Sequence, residues 1–133
     1  MANPLYDNLI GEHATNDACF LRQPGKPGIS FRQFSERTSQ VANLLLKHGL
    51  KPGDRVAVQA SKTIEMVILY GATIQAGGVF LSLNTDYKKD EISYFIKDAS
   101  PKIFVCDPQK RKDLEDIADQ VGSQVLTLSL IHI

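Results

Sequence analysis

The side chains able to do chemistry gather in four polar stretches: Gly25-Lys26-Pro27-Gly28, Ser61-Lys62-Thr63, Asn84 to Lys89, and Asp107 before Pro108. Each suggests a reaction that its neighbours then test. A glycine-lysine turn invites phosphate binding, but such a cradle needs backbone donors opening a helix and a Ser/Thr to hold a metal. Gly25 to Gly28 lies between two short strand-like runs and has neither, so it reads as a hairpin turn. Asp107 at a strand end could accept a phosphoryl group if an acidic pair held magnesium beside it. The preceding strand ends in Ala60 and Ser61, and the proline after Asp107 favours a helix N-cap. Lys88, Lys89 and Asp90 open a helix as a charged lip, either solvated or facing an anionic cofactor. No serine or cysteine has a base in its local motif, so nucleophilic catalysis is unsupported. His13, His48 and His132 are too scattered for zinc. Cys19 and Cys106 sit in apolar runs and read as inert buried thiols.

The elements that must position these groups alternate. The runs 18–23 and 28–31 flank the turn at 24–28 as a hairpin. Ser30 with Gln33 has capping-box spacing, and the helix it starts, to about His48, puts Phe34, Thr38, Val41, Ala42 and Leu45 on one face before Gly49 stops it. Lys51 to Asp54 turns into the strand Arg55–Ala60. Thr63 caps a helix to about Ala76 that is apolar nearly all round and so expected to be buried on most sides. Gly77 and Gly78 are expected to reverse the chain through positive φ into Val79–Leu83, a central strand covered on both faces. A third helix carries Ile92, Phe95, Ile96 and Ala99 at helical spacing and stops at Pro101. The strand Lys102–Cys106 and a fourth helix, with Leu114, Ile117, Ala118 and Val121 on one face, follow. From Arg55 onward this is an α/β pattern of βαβ units on a mostly parallel sheet, with right-handed crossovers. Ligands of such a sheet bind beyond the carboxyl ends of its strands, which here are the loops after Ala60, Leu83 and Cys106.

With 15 basic and 15 acidic residues in 133, no net charge steers nucleic acid or an anionic membrane. Nor is any apolar run long enough to span a bilayer. The N-terminus shows neither a secretion signal nor a transit peptide, so a cytoplasmic location is expected. The length suits one domain or one piece of a larger one.

Two longer stretches carry a family likeness. Residues 29–58, with their capped helix and Gly-Asp turn into a Val-Ala strand, resemble the first conserved block of the AMP-forming acyl-CoA synthetases, the adenylate-forming ligases. The stretch from Leu69 through Ala76-Gly77-Gly78, Leu83-Asn84-Thr85-Asp86-Tyr87 and Pro101-Lys102-Ile103 to Arg111 resembles the second, in wording nearest the malonyl-CoA synthetases. The resemblance implies ATP, magnesium and coenzyme A as the parent enzyme's cofactors, and small-molecule substrates as its partners. A short carboxylic acid, malonate favoured, would become an acyl-adenylate and then a thioester. It implies that residues 1–128 form the N-terminal part of the adenylation domain. The family's phosphate loop, magnesium-holding glutamate and lid lysine would lie beyond Ile133, so this chain alone is expected to bind no cofactor and make no adenylate. Asn84, Tyr87, Lys88 and Lys89 would then line the rim where coenzyme A approaches, or serve only as a strand-to-helix connection.

Two positions depart from the family: Ser82 stands where many members have proline, and Lys88 where many have Ser or Thr. The helix start at Lys88 is therefore expected to be weaker by about 1 kcal/mol. Residues 129–133 resemble a translated cloning or adapter read-through rather than family sequence. Apolar surfaces that later chain would cover are expected to make the fragment self-associate. The rival reading is a stand-alone α/β binding or interaction module.

Overall fold

The computed structural model describes residues 3–129. An N-terminal helix α1 (Pro4–Leu9) and a 3-10 turn precede a two-stranded antiparallel hairpin, β1 (Cys19–Leu21) and β2 (Ile29–Ser30). Helix α2 (Phe31–Lys47) follows, then β3 (Arg55–Gln59), α3 (Ile64–Gln75), β4 (Val79–Ser82), α4 (Lys89–Ala99), β5 (Ile103–Cys106), a 3-10 turn, α5 (Arg111–Asp119) and β6 (Gln124–Thr127). The last four strands form one parallel sheet in the order β4-β3-β5-β6. The α/β class, its parallel sheet and the hairpin are those expected. The residues 130–133, which hold most of the adapter-like tail and His132, lie outside the described part.

Alternation along the central strands splits the core into two layers. Val56, Val58, Ile103 and Val105 face α2 and α3, whose Phe34, Val41, Leu45, Ile68 and Leu69 complete that layer. Ala57, Phe104 and Cys106 face the other way, onto Ile92 and Ile96 of α4 and Leu114 and Ile117 of α5. Central parallel strands covered on both faces are continuous apolar runs for this reason.

Local rules hold where the backbone can satisfy them alone. The capping box opening α2 is complete: Ser30 Oγ accepts from the Gln33 amide at 3.0 Å, and Gln33 Oε1 accepts from the Ser30 amide at 2.8 Å. Gly49, with φ +90°, ends that helix. Thr63 Oγ1 accepts from the Met66 amide at 3.3 Å. At α4 only half a box forms. Glu91 accepts from the Lys88 amide at 3.2 Å, but an ammonium has no lone pair with which to reciprocate. Lys88→Ser is therefore expected to stabilise the domain by about 1 kcal/mol, read as a melting temperature higher by a few degrees. An unchanged midpoint would contradict this.

Four expectations are corrected. Strand β4 is not central but the sheet's edge, and Val79 is 48% exposed. Helix α3 is buried along Ile64, Ile68, Leu69 and Ala72, while Val67 and Tyr70 face out. Its Tyr70 ring meets Phe80 edge-on, with centroids 5.1 Å apart. Only Gly77 of the glycine pair takes positive φ, at +84°. Gly78 answers to crowding instead, since a Cβ there would lie 3.2 Å from the Asp54 carbonyl oxygen, Leu50 and Thr73. Cys106 is buried, but Cys19 is exposed on the hairpin, which packs on the core through Leu21 and Ile29.

Candidate functional site

Order β4-β3-β5-β6 means that the chain leaves β3 in one direction and returns past it to β5. Ligand crevices of open α/β sheets lie outside the carboxyl ends at such a reversal. The loops after β3 and β4 part there to leave a crevice of about 680 Å³, whose walls include Ser61, Lys62, Ser82, Asn84, Thr85 and Asp86.

Its framework is a set of hydrogen bonds between residues far apart in sequence. The Asp107 carboxylate accepts from both the amide and the hydroxyl of Ser61, each at 3.2 Å, tying the ends of β3 and β5 together. This corrects the helix-cap reading of Asp107, whose side chain makes no capping bond to the 3-10 turn after it. Gln59, the last residue of β3 and fully buried, donates through Nε2 to the Asn84 carbonyl at 2.9 Å and the Tyr87 carbonyl at 3.4 Å. Lys110 Nζ donates to the Thr85 carbonyl at 3.3 Å.

Of the four residues expected at a rim, Asn84 lines the crevice and turns its side chain back, Oδ1 accepting from the Asp86 amide at 2.9 Å. That is an Asx turn, which fixes the loop from within. Tyr87 is half-buried and stacks on Phe95, with centroids 5.1 Å apart and planes at 14°. Lys88 is exposed, and Lys89 lies 3.9 Å from Asp113 with both side chains mostly solvated, a pair that adds little stability. One loop thus brings the four together at the start of α4, with Asn84 alone in the crevice wall. Sequence reasoning passed over Gln59 and the Ser61–Asp107 link. The available signal was an amide interrupting the apolar run of β3.

The arrangement offers hydrogen-bonding groups and the exposed ammonium of Lys62. Among the described residues no three His, Cys, Asp or Glu side chains come together to hold a metal.

At the end of β5, burial pushes the Cys106 thiol up to about 11, and the neighbouring Asp107 carboxylate adds to the effect. The sign follows directly. The folded thiol holds its proton where the unfolded one, ordinarily near 9.0, releases it, so its contribution is whole below about pH 9 and lost as pH rises toward 11. Stability is expected to fall through that window by more in the native chain than in Cys106→Ala, as urea midpoints would record. Identical pH profiles would contradict it.

Three comparisons place the chain among known proteins. Residues 12–131 match the family described as AMP-binding enzyme. The ATP-bound MatB of Rhodopseudomonas palustris superposes with a TM-score of 0.92 at 40% identity, over 98% of this chain and 28% of that one. Enterobactin synthase component F of Escherichia coli O157:H7 is 32% identical over 113 residues, 84% of this chain and 9% of that protein. The chain therefore spans about a quarter of MatB and a tenth of the enterobactin synthase component. Its fold is that of the N-terminal domain of adenylate-forming ligases. With a family match along nearly its whole length and a parallel sheet that superposes on an ATP-binding relative, the chain belongs to the AMP-binding enzymes, the adenylate-forming ligases.

Proposed function

We propose that this chain is the opening portion of the large domain of a cytoplasmic acid–thiol ligase, with residues 1–128 belonging to that domain. The whole enzyme joins a short carboxylate, malonate favoured, to the α-phosphate of ATP with release of pyrophosphate. Coenzyme A thiol then attacks the acyl carbon and AMP leaves. The carrying observation is the 40% identity with the ATP-bound MatB across 98% of this chain. Within the enzyme these residues are scaffold. They raise the sheet whose carboxyl-end crevice opens between Ser61 and Asp86, and they hold the loop Asn84, Tyr87, Lys88 and Lys89 at its rim on the coenzyme A side. Magnesium and the reactive groups come from chain beyond these residues, so the stretch alone forms no adenylate. The free edge of β4 and the exposed Val67, Tyr70 and Val79 then become surfaces through which isolated copies associate. Pyrophosphate release dependent on ATP and malonate tests the proposal. Equal turnover with unrelated acids would remove malonate from it.

A further inference from the structure

Gln59 stands out in the described part because its amide is fully buried and only half used. Nε2 is shared between the carbonyls of Asn84 and Tyr87, whereas Oε1 has no hydrogen-bond partner among the described residues. A buried acceptor left unpaired costs stability, and an apolar side chain of similar volume would not carry that cost. As a core filler, then, glutamine is a poor choice for this position. As a bracket it does what an apolar residue cannot, since two carbonyls three residues apart converge on one donor and fold the loop back over the end of β3. Exchanging the amide's oxygen and nitrogen would set an oxygen against two carbonyl oxygens, so this orientation is the one the contacts allow.

We propose that Gln59 is a positioning residue: its buried amide sets the shape of the Asn84–Tyr87 loop, and so the width of the crevice that this loop walls. It works alongside an exposed tie, Lys110 to Thr85, and the half-buried stacking of Tyr87 on Phe95; among the described residues Gln59 is the one fully buried side chain that hydrogen-bonds to this loop. The relevance of that width to coenzyme A rests on the ligase reading above, but the positioning itself does not.

The test is amide hydrogen exchange, followed by mass spectrometry, on the 133-residue chain and its Gln59→Leu and Gln59→Met variants, with thermal melts alongside. The reporting amides are Asp86, Tyr87 and Lys88, bonded to Asn84 Oδ1, the Asn84 carbonyl and Glu91 respectively. Both variants are expected to exchange roughly tenfold faster there, the loss of about one hydrogen bond's local protection. Core amides of β3 and β5 and the melting temperature should stay close to those of the parent. Unchanged loop exchange in either variant overturns the inference. So does a fall in melting temperature with core and loop exchange rising in proportion, which is the signature of a purely structural residue. No coenzyme enters this measurement, so failure of the ligase reading leaves it standing and its own failure leaves the ligase reading untouched.

Discussion

Phe104→Ala is expected to destabilise the domain by about 3 to 5 kcal/mol, a large part of the ~5 to 15 kcal/mol that holds a domain of this size together. Phe104 is fully buried at the middle of β5, the strand flanked by β3 and β6. Its ring fills the layer bounded by Ala57, Ile96 and Leu114. Interior packing is too dense for neighbours to close a hole of that size, so the loss is the transfer free energy of the ring plus the cavity left behind. Val79→Ala is the contrast. On the exposed sheet edge it should change stability by no more than about 0.5 kcal/mol. Urea unfolding of the two variants checks the pair, and a Phe104→Ala cost below about 1 kcal/mol would show that the two-layer core is wrongly drawn.

What was legible in the sequence divides by the range of the forces involved. Helices α2, α4 and α5 each carry a one-faced apolar repeat, a signal complete within a few turns. Their buried residues are the periodic ones, Phe34 to Leu45 in α2 and Leu114, Ile117 and Ala118 in α5. The capping box at Ser30 and the cap at Thr63 are equally local. Parallel orientation and layering followed from the alternation of types, because right-handed crossovers leave few other arrangements. Helix α1 was readable but passed over, for Asn3 with Pro4 behind it is a cap and first-turn pair, and Asn3 Oδ1 does accept from the Tyr6 amide at 3.2 Å.

The misreadings share one physical cause. A run such as Val79 to Leu83 has the same pattern at the edge of a sheet as at its centre, because strand order is set by where crossovers land. The same holds for Cys19, whose apolar neighbours promised burial, whereas the hairpin turns Leu21 and Ile29 to the core and leaves Cys19 exposed. At the site the decisive contacts span 25 residues for Gln59 and Asn84 and 46 for Ser61 and Asp107. Asp107 followed by proline satisfies a local capping rule, yet its carboxylate finds a partner that only the folded sheet brings near. Side chains at strand ends are read poorly from sequence because their partners are chosen by topology.

The largest expected effect is on turnover, and it bears on the central claim that these residues are a platform whose reactive groups are supplied elsewhere in the ligase. The crevice presents hydrogen-bonding groups and an exposed lysine, and no carboxylate cluster to hold a metal among the described residues. Phosphoryl and acyl transfer draw most of their acceleration from charges placed against the developing transition state, a contribution on the order of a million-fold or more in enzymes generally. The decisive measurement is pyrophosphate release from ATP, with magnesium and malonate, by this chain and by this chain joined to the remaining three quarters of MatB. Background release from the short chain and malonate-dependent turnover from the longer one is the expected result. Malonate-dependent pyrophosphate release by the purified 133-residue chain would contradict it.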